Sequence, residues 1–139
     1  MTSPITRDEC RLVQASFLQL EPVAGTVAAL FYRRLFELNP ALIPLFKTDM
    51  ELQGIKFMEK LAVVVTALDD LGSIASLVQA LGRAHTEYGV RPADYDTAGE
   101  ALLWALAEVL GPEFNCELRD AWLAAFAALS NEMVTASEH

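Results

Sequence analysis

IASLVQALGRAHTEYGV, residues 74–90, belongs to an amphipathic helix expected from about Ser73 to Tyr88, with a histidine on its apolar stripe. Ile74, Leu77, Val78 and Leu81 recur at three- and four-residue intervals, the helical period, and His85 continues the same line. Gly89-Val90-Arg91-Pro92 then stops the helix. A histidine in such a place can be a packed core side chain or a cap near a helix C-terminus, where its charge is favoured. It can also be a metal ligand. The stretch alone does not choose among these.

The segments on either side repeat the helical pattern. Thr6-Arg7-Asp8-Glu9 has the form of a capping box, followed by Leu12, Val13, Phe17 and Leu20 at helical spacing. Pro22 suits the first turn of a second helix, with Val27, Leu30, Phe31 and Leu35 as its buried stripe and Asn39-Pro40 as its end. Pro40 to Phe46 holds two prolines in five residues and reads as a tight one-turn element. Helical patterning resumes near Met50, runs to about Asp70 and breaks at Gly72-Ser73. A further helix is expected from about Asp94 to Leu110, ended by Gly111-Pro112, and a last one carries Leu118, Trp122, Phe126, Leu129 and Met133. Val63-Val64-Val65, the only β-branched run, lies inside a helical pattern, so no strand is expected. The expected class is all-α, six long helices plus a short third one.

Composition narrows the functions. A chain of 139 residues suits one domain, 1–139, with its core over about 6–136. Apolar residues make up 53%, which excludes disorder. Ten basic against 19 acidic residues give a net charge of −9, which disfavours nucleic acid and anionic membranes. Cys10 and Cys116 form neither a CxxC pair nor a disulfide framework. No charged start leads into an apolar run, and Leu61–Leu68 is too short to span a bilayer. A cytoplasmic protein is expected.

Catalytic inventories are short. His85 and His139 are the only histidines, so a Ser-His-Asp arrangement has no support, and no GxGxxG or Walker-type loop occurs. Gln53, Phe57, Leu61 and Val64 fall on one face of the preceding helix, with the amide at its N-terminal end. Tyr32 is a polar-tipped aromatic beside the Phe31 stripe, and Phe46 ends the Pro-rich element. An imidazole on one helix facing an apolar helix with one amide and one phenol makes a sandwich for a flat apolar cofactor with a coordinating metal. The plainer readings stand beside it: Gln53 as a solvated helix-start residue, Tyr32 as a core-rim residue with its hydroxyl in water.

From Thr6 to about Ala136 the order and spacing of these residues resemble a globin, most closely single-domain bacterial haemoglobins and the haem domain of flavohaemoglobins. The matching stretches are Leu30–Phe36 with Asn39-Pro40, Pro44-Leu45-Phe46, Gln53–Met58, Leu81–Val90, and Trp122. The resemblance implies a globin fold around a haem b pocket. It implies His85 as the proximal iron ligand, Phe46 wedged against the haem, Gln53 and Tyr32 as distal polar residues, and Phe57 and Leu61 as apolar walls. Leu81, Val90 and Tyr95 match pocket positions on the proximal side. Lys56 and Arg91 are candidate partners for the haem propionates, or solvated surface charges.

The function this implies is binding of O2, and of CO and NO, at pentacoordinate ferrous iron in a Tyr/Gln pocket, for storage, delivery or scavenging. The alternative is an enzyme, a nitric oxide dioxygenase or other haem redox protein served by a separate reductase, since a reductase segment is not expected in this chain. A haem-free interaction module is a third class, against which His85 and Phe46 together speak. No partner beyond small ligands and a reductase is expected, and the chain should be a monomer or weak dimer. In close relatives of the bacterial group, a tyrosine at the place of Tyr95 joins a glutamate in bonding the proximal imidazole. Here that glutamate's place falls on Ser137.

Overall fold

A computed structural model describes residues 5–47 and 49–137, with side chains to residue 135. Among the described residues there are six α-helices and no strand: α1 (Arg7–Leu20), α2 (Ala24–Leu38), α3 (Met50–Thr66), α4 (Ala75–Glu87), α5 (Pro92–Leu110) and α6 (Cys116–Ser137). Four short 3-10 segments join them, and Pro40–Leu45 is the expected short third element.

Local chemistry sets the ends. The Thr6 hydroxyl accepts from the Glu9 N–H, and the Glu9 carboxylate accepts from the Thr6 N–H, so the capping box forms as read. Three boundaries differ from expectation. Pro22 lies in a 3-10 turn, Glu21–Val23, and α2 starts only at Ala24. Helix α3 ends at Thr66, four residues early. There the Ala67 N–H is shared between the carbonyls of Val63 and Val65, and Asp70 leaves helical geometry at φ −151° and ψ 64°. Helix α5 begins at Pro92 rather than Asp94, because a proline at the first helical position gives up an N–H that would have no helical partner there.

The core is formed by α1, α2, α5 and α6. Val13, Leu20, Val27, Leu106 and Trp122 are essentially sealed from solvent. The Trp122 indole N–H donates to the Ser16 hydroxyl at 2.9 Å, and that hydroxyl donates to the Val13 carbonyl, so no polar atom is stranded where α1 meets α6. Two crossings run backbone-close. A Cβ on Gly54 of α3 would stand 3.0 Å from the Ala28 Cβ of α2, and one on Gly82 of α4 would stand 2.5 Å from the Met133 carbonyl oxygen of α6.

These crossings fix where α3 and α4 sit. Helix α3 rests on α1 and α2, and α4 rests on α6; the two make no extended contact with each other. No single described helix is long and apolar enough to cross a membrane; only the bent pair of α3 with the segment to Glu87 reaches that length and composition, across a 107° break.

Gly82→Ala tests the closer crossing. Helix propensity alone predicts a gain of about 1 kcal/mol, whereas the Cβ would have to displace the α6 backbone, which should cost a net 1–3 kcal/mol, roughly the overpacking range. Urea midpoints of the two proteins report the sign, and a stabilised variant would contradict this packing.

Candidate functional site

His85 lies two residues before the end of α4, and the chain that follows anchors it. Gly89 takes φ +97°, a left-handed conformation that favours glycine. The Gly89 N–H donates to the Thr86 carbonyl at 3.1 Å and the Val90 N–H to the His85 carbonyl at 2.9 Å. This doubly closed helix end locks the backbone of His85 and turns Val90 back beside it. Arg91 then leads into α5. Its N–H donates to the buried Asp94 carboxylate at 2.9 Å, and its guanidinium lies 3.6 Å from the same group.

From α5, the Tyr95 hydroxyl lies 3.3 Å from His85 Nδ1. Nδ1 is thereby engaged, and Nε2 is the ring nitrogen left for a ligand. Burial pushes the imidazole below its ordinary pKa, and the Lys60 ammonium on α3 pushes it further the same way. The ring is therefore neutral at pH 7, as a metal ligand must be. Burial pushes the Tyr95 hydroxyl up.

Helices α2 and α3 supply an aromatic cluster. Phe57 stacks on Phe31 at 4.4 Å between ring centroids, with the rings 5° from parallel. Tyr32 meets Phe57 edge-on at 5.8 Å and Phe46 edge-on at 5.4 Å, and Phe36 closes on Phe46 at 5.4 Å. Tyr32 is 7% exposed, and the Gln53 side-chain amide donates to its hydroxyl oxygen at 3.4 Å. Burial raises the phenol's pKa, and the Gln53 bond offsets this only in part. The hydroxyl thus keeps its proton, and because Gln53 is the donor of the pair, Tyr32 remains a donor itself.

Phe57 and Leu61 on α3, Leu81 on α4, and Phe46 and Val90 in the turns are all half-buried. Apolar side chains left half-covered on two helices that do not pack together, with one imidazole among them, fit a flat apolar group ligated through nitrogen. A metal held by protein ligands alone does not fit, since no group of three His, Cys, Asp or Glu side chains converges among the described residues.

The structure brings together His85 with Tyr95, and Tyr32 with Gln53, Phe46 and Phe57. Lys56 is exposed, and Arg91 is held on Asp94. The side chain of Ser137 and all of His139 lie outside the described residues. Sequence reasoning missed Lys60, whose exposed α3 position reads as surface. It also missed Phe36, although its i,i+4 spacing from Tyr32 puts the two on one helix face.

The family model described as Globin matches residues 29–133. The chain is 25% identical over 133 residues to the Flavohemoprotein of Vibrio cholerae, covering 94% of this chain and 34% of that protein. It therefore spans about a third of that relative's length. It is 34% identical over 116 residues to the Neuroglobin of Danio rerio, covering 73% of each. Among solved structures it is similar to an engineered carbene transferase described as a putative nitric oxide dioxygenase from Rhodothermus marinus. The TM-score is 0.88 and the identity 27%, with 96% of this chain and 94% of that one covered. A bacterial globin from Campylobacter jejuni shares the fold, with a TM-score of 0.85 at 18% identity over 96% of each chain.

Lys60→Met should raise the His85 pKa in the ligand-free chain without returning it to its ordinary value, because burial is the larger cause. The imidazole's folded pKa lies below its unfolded one, so its contribution to stability is present above pH 6.5 and lost as pH falls from there through the lower folded pKa. NMR titration of the His85 ring protons reads the shift. An unchanged pKa would mean that Lys60 does not reach the imidazole.

Proposed function

Because the chain belongs to the globin family, we propose that it binds haem b through His85 Nε2 and uses it to bind O2 and related diatomic ligands. The observation that carries this reading is the His85 imidazole, held at Nδ1 by the Tyr95 hydroxyl on a helix that makes no extended contact with α3, whose Phe57 and Leu61 are left half-buried. When bound, haem supplies an iron centre that takes a diatomic ligand.

The remaining work belongs to the chain. Tyr95 would hold the His85 ring at Nδ1 and so keep Nε2 on the cofactor side. Phe46, Phe57, Leu61, Leu81 and Val90 would cover the apolar faces and exclude water. Lys56 would meet the cofactor's carboxylates, while Arg91, already paired with Asp94, would contribute less. The Gln53 amide orients the Tyr32 hydroxyl, and that hydroxyl offers its proton to a polarised ligand. In a site with little water such a bond counts for more than in solution. O2 is more polarised than CO at such a centre, so the pair would favour O2.

A second reading, oxidation of nitric oxide with electrons from a reductase, draws on the similarity to flavohemoproteins and to the Rhodothermus marinus protein. Sustained turnover with a cellular reductant would separate it from storage or delivery of O2.

Stopped-flow displacement of O2 by CO tests the distal pair. A hydrogen bond to a partly charged acceptor is worth about 1.5–3 kcal/mol, so Tyr32→Phe should speed O2 dissociation roughly ten- to a hundredfold. CO dissociation should change far less. Gln53→Leu should act the same way but more weakly, because it works through Tyr32, and the double variant should be less than additive. Small, equal effects of Tyr32→Phe on both ligands would refute the donor role.

A further inference from the structure

Asp94 is the one charged side chain buried among the described residues, at 5% exposure. A carboxylate taken out of water needs partners that offset its lost hydration. Its hydrogen bond and its ion pair both go to Arg91, to the backbone N–H at 2.9 Å and to the guanidinium at 3.6 Å. The Arg91 side chain is 71% exposed, so water screens the ion pair and the N–H bond is the stronger restraint. The Asp94 N–H in turn donates to the Arg91 carbonyl at 2.9 Å, which closes the entry into α5 from both sides. Starting a helix does not require burial of the carboxylate. At the head of α1, Glu9 serves Thr6 in the same way through an exposed bond.

Asp94 stands directly before Tyr95, the residue that addresses His85. Helices α4 and α5 make no extended contact of their own: α4 rests on α6, and α5 on α2 and α6. The reach of Tyr95 to His85 is therefore set largely by the short turn that joins the two helices. That turn closes on itself. The His85 carbonyl accepts from the Val90 N–H at 2.9 Å, the next N–H, that of Arg91, goes to the Asp94 carboxylate, and the Tyr95 hydroxyl returns to the His85 ring at 3.3 Å. The last link is at the long end of hydrogen-bond distances, so a shift of a few tenths of an ångström in the first turn of α5 would open it.

We infer that Asp94 is a positioning residue for the His85 side of the site: by tying down the Arg91 N–H, it holds the first turn of α5 where Tyr95 engages His85 Nδ1. Its effect on an iron-bound ring rests on the haem-binding function proposed above; its hold on Tyr95 does not. An engaged Nδ1 fixes the ring's orientation and makes Nε2 the stronger donor to a metal, so Asp94 would tune that bond through Tyr95.

The ligand-free chain gives the first test. Nitrogen NMR shifts of the His85 ring report whether Nδ1 is engaged. Tyr95→Phe removes the hydroxyl and defines the shifts of a released ring, and Asp94→Ala should reproduce them. Asp94→Asn, whose side-chain oxygen still accepts from the Arg91 N–H, should stay near the unsubstituted shifts. Glu9→Ala, the matching loss at the exposed cap of α1, should lower stability without moving the His85 shifts. In the haem-loaded ferrous protein, the iron–histidine stretching band should move in the same direction in Asp94→Ala as in Tyr95→Phe, and the double variant should move no further than Tyr95→Phe alone. Haem should leave Asp94→Ala roughly tenfold faster, the lower end of the losses that follow removal of groups supporting a metal ligand. Asp94→Leu, which fills the buried volume without an acceptor, carries the same expectations if Asp94→Ala does not fold. A folded Asp94→Ala or Asp94→Leu protein with unsubstituted His85 shifts overturns the inference, since a capping role alone changes stability and leaves the ring where it is. So does an Asp94→Asn protein that behaves like Asp94→Ala, because the bond to the Arg91 N–H would then not be the restraint. A chain that takes up no haem overturns the proposed function, while the comparison of ligand-free shifts still decides the role of Asp94.

Discussion

Two backbone-close helix crossings hold α3 and α4 apart, and the candidate site depends on that separation. At one, Gly54 lets α3 approach Ala28 of α2; at the other, Gly82 lets α4 approach the Met133 backbone of α6. Each helix spends its tight contact on a partner other than its opposite number. Apolar side chains on both, Phe57 and Leu61 of α3 and Leu81 of α4, are left half-buried. A chain folding for stability alone would cover them, since uncovered apolar surface forfeits about 25 cal/mol per Å². A cofactor with two flat apolar faces would recover that loss.

The polar groups at the site are few, and each has a defined orienting partner. Tyr95 addresses His85 from α5, and Gln53 addresses Tyr32 from α3. In both pairs a residue on a second helix orients the one that would touch cofactor or ligand, so the geometry is set by helix packing rather than by loops. The two pKa shifts work in the same sense. Burial keeps the imidazole unprotonated and the phenol protonated, the forms needed for ligation and for hydrogen-bond donation.

Much of this was legible in the sequence because helix periodicity and caps are local signals. The Thr6–Glu9 capping box, the Pro40–Phe46 turn and the stripe ending at His85 needed no knowledge of the rest of the chain. The misread boundaries came from competing local forces. Proline at position 22 favoured a 3-10 turn over the start of an α-helix, and Ala67 to Asp70 left the helix although no glycine or proline marks the spot. Long-range features were not legible at all. Nothing in the spacing of Lys60 says that it lies near His85. The tight Gly82–Met133 approach joins residues more than fifty positions apart and exists only in three dimensions.

The central claim is that the space between α3 and α4 holds haem through His85. Haem titration of the purified chain and of His85→Ala, followed by ferrous-CO absorption spectra, tests it most directly. The account predicts stoichiometric binding with a sharp Soret band for the unsubstituted chain, and loss of that stoichiometry or a displaced, broadened band for the variant. A His85→Ala protein that takes up haem with the same stoichiometry and the same ferrous-CO Soret band would contradict it.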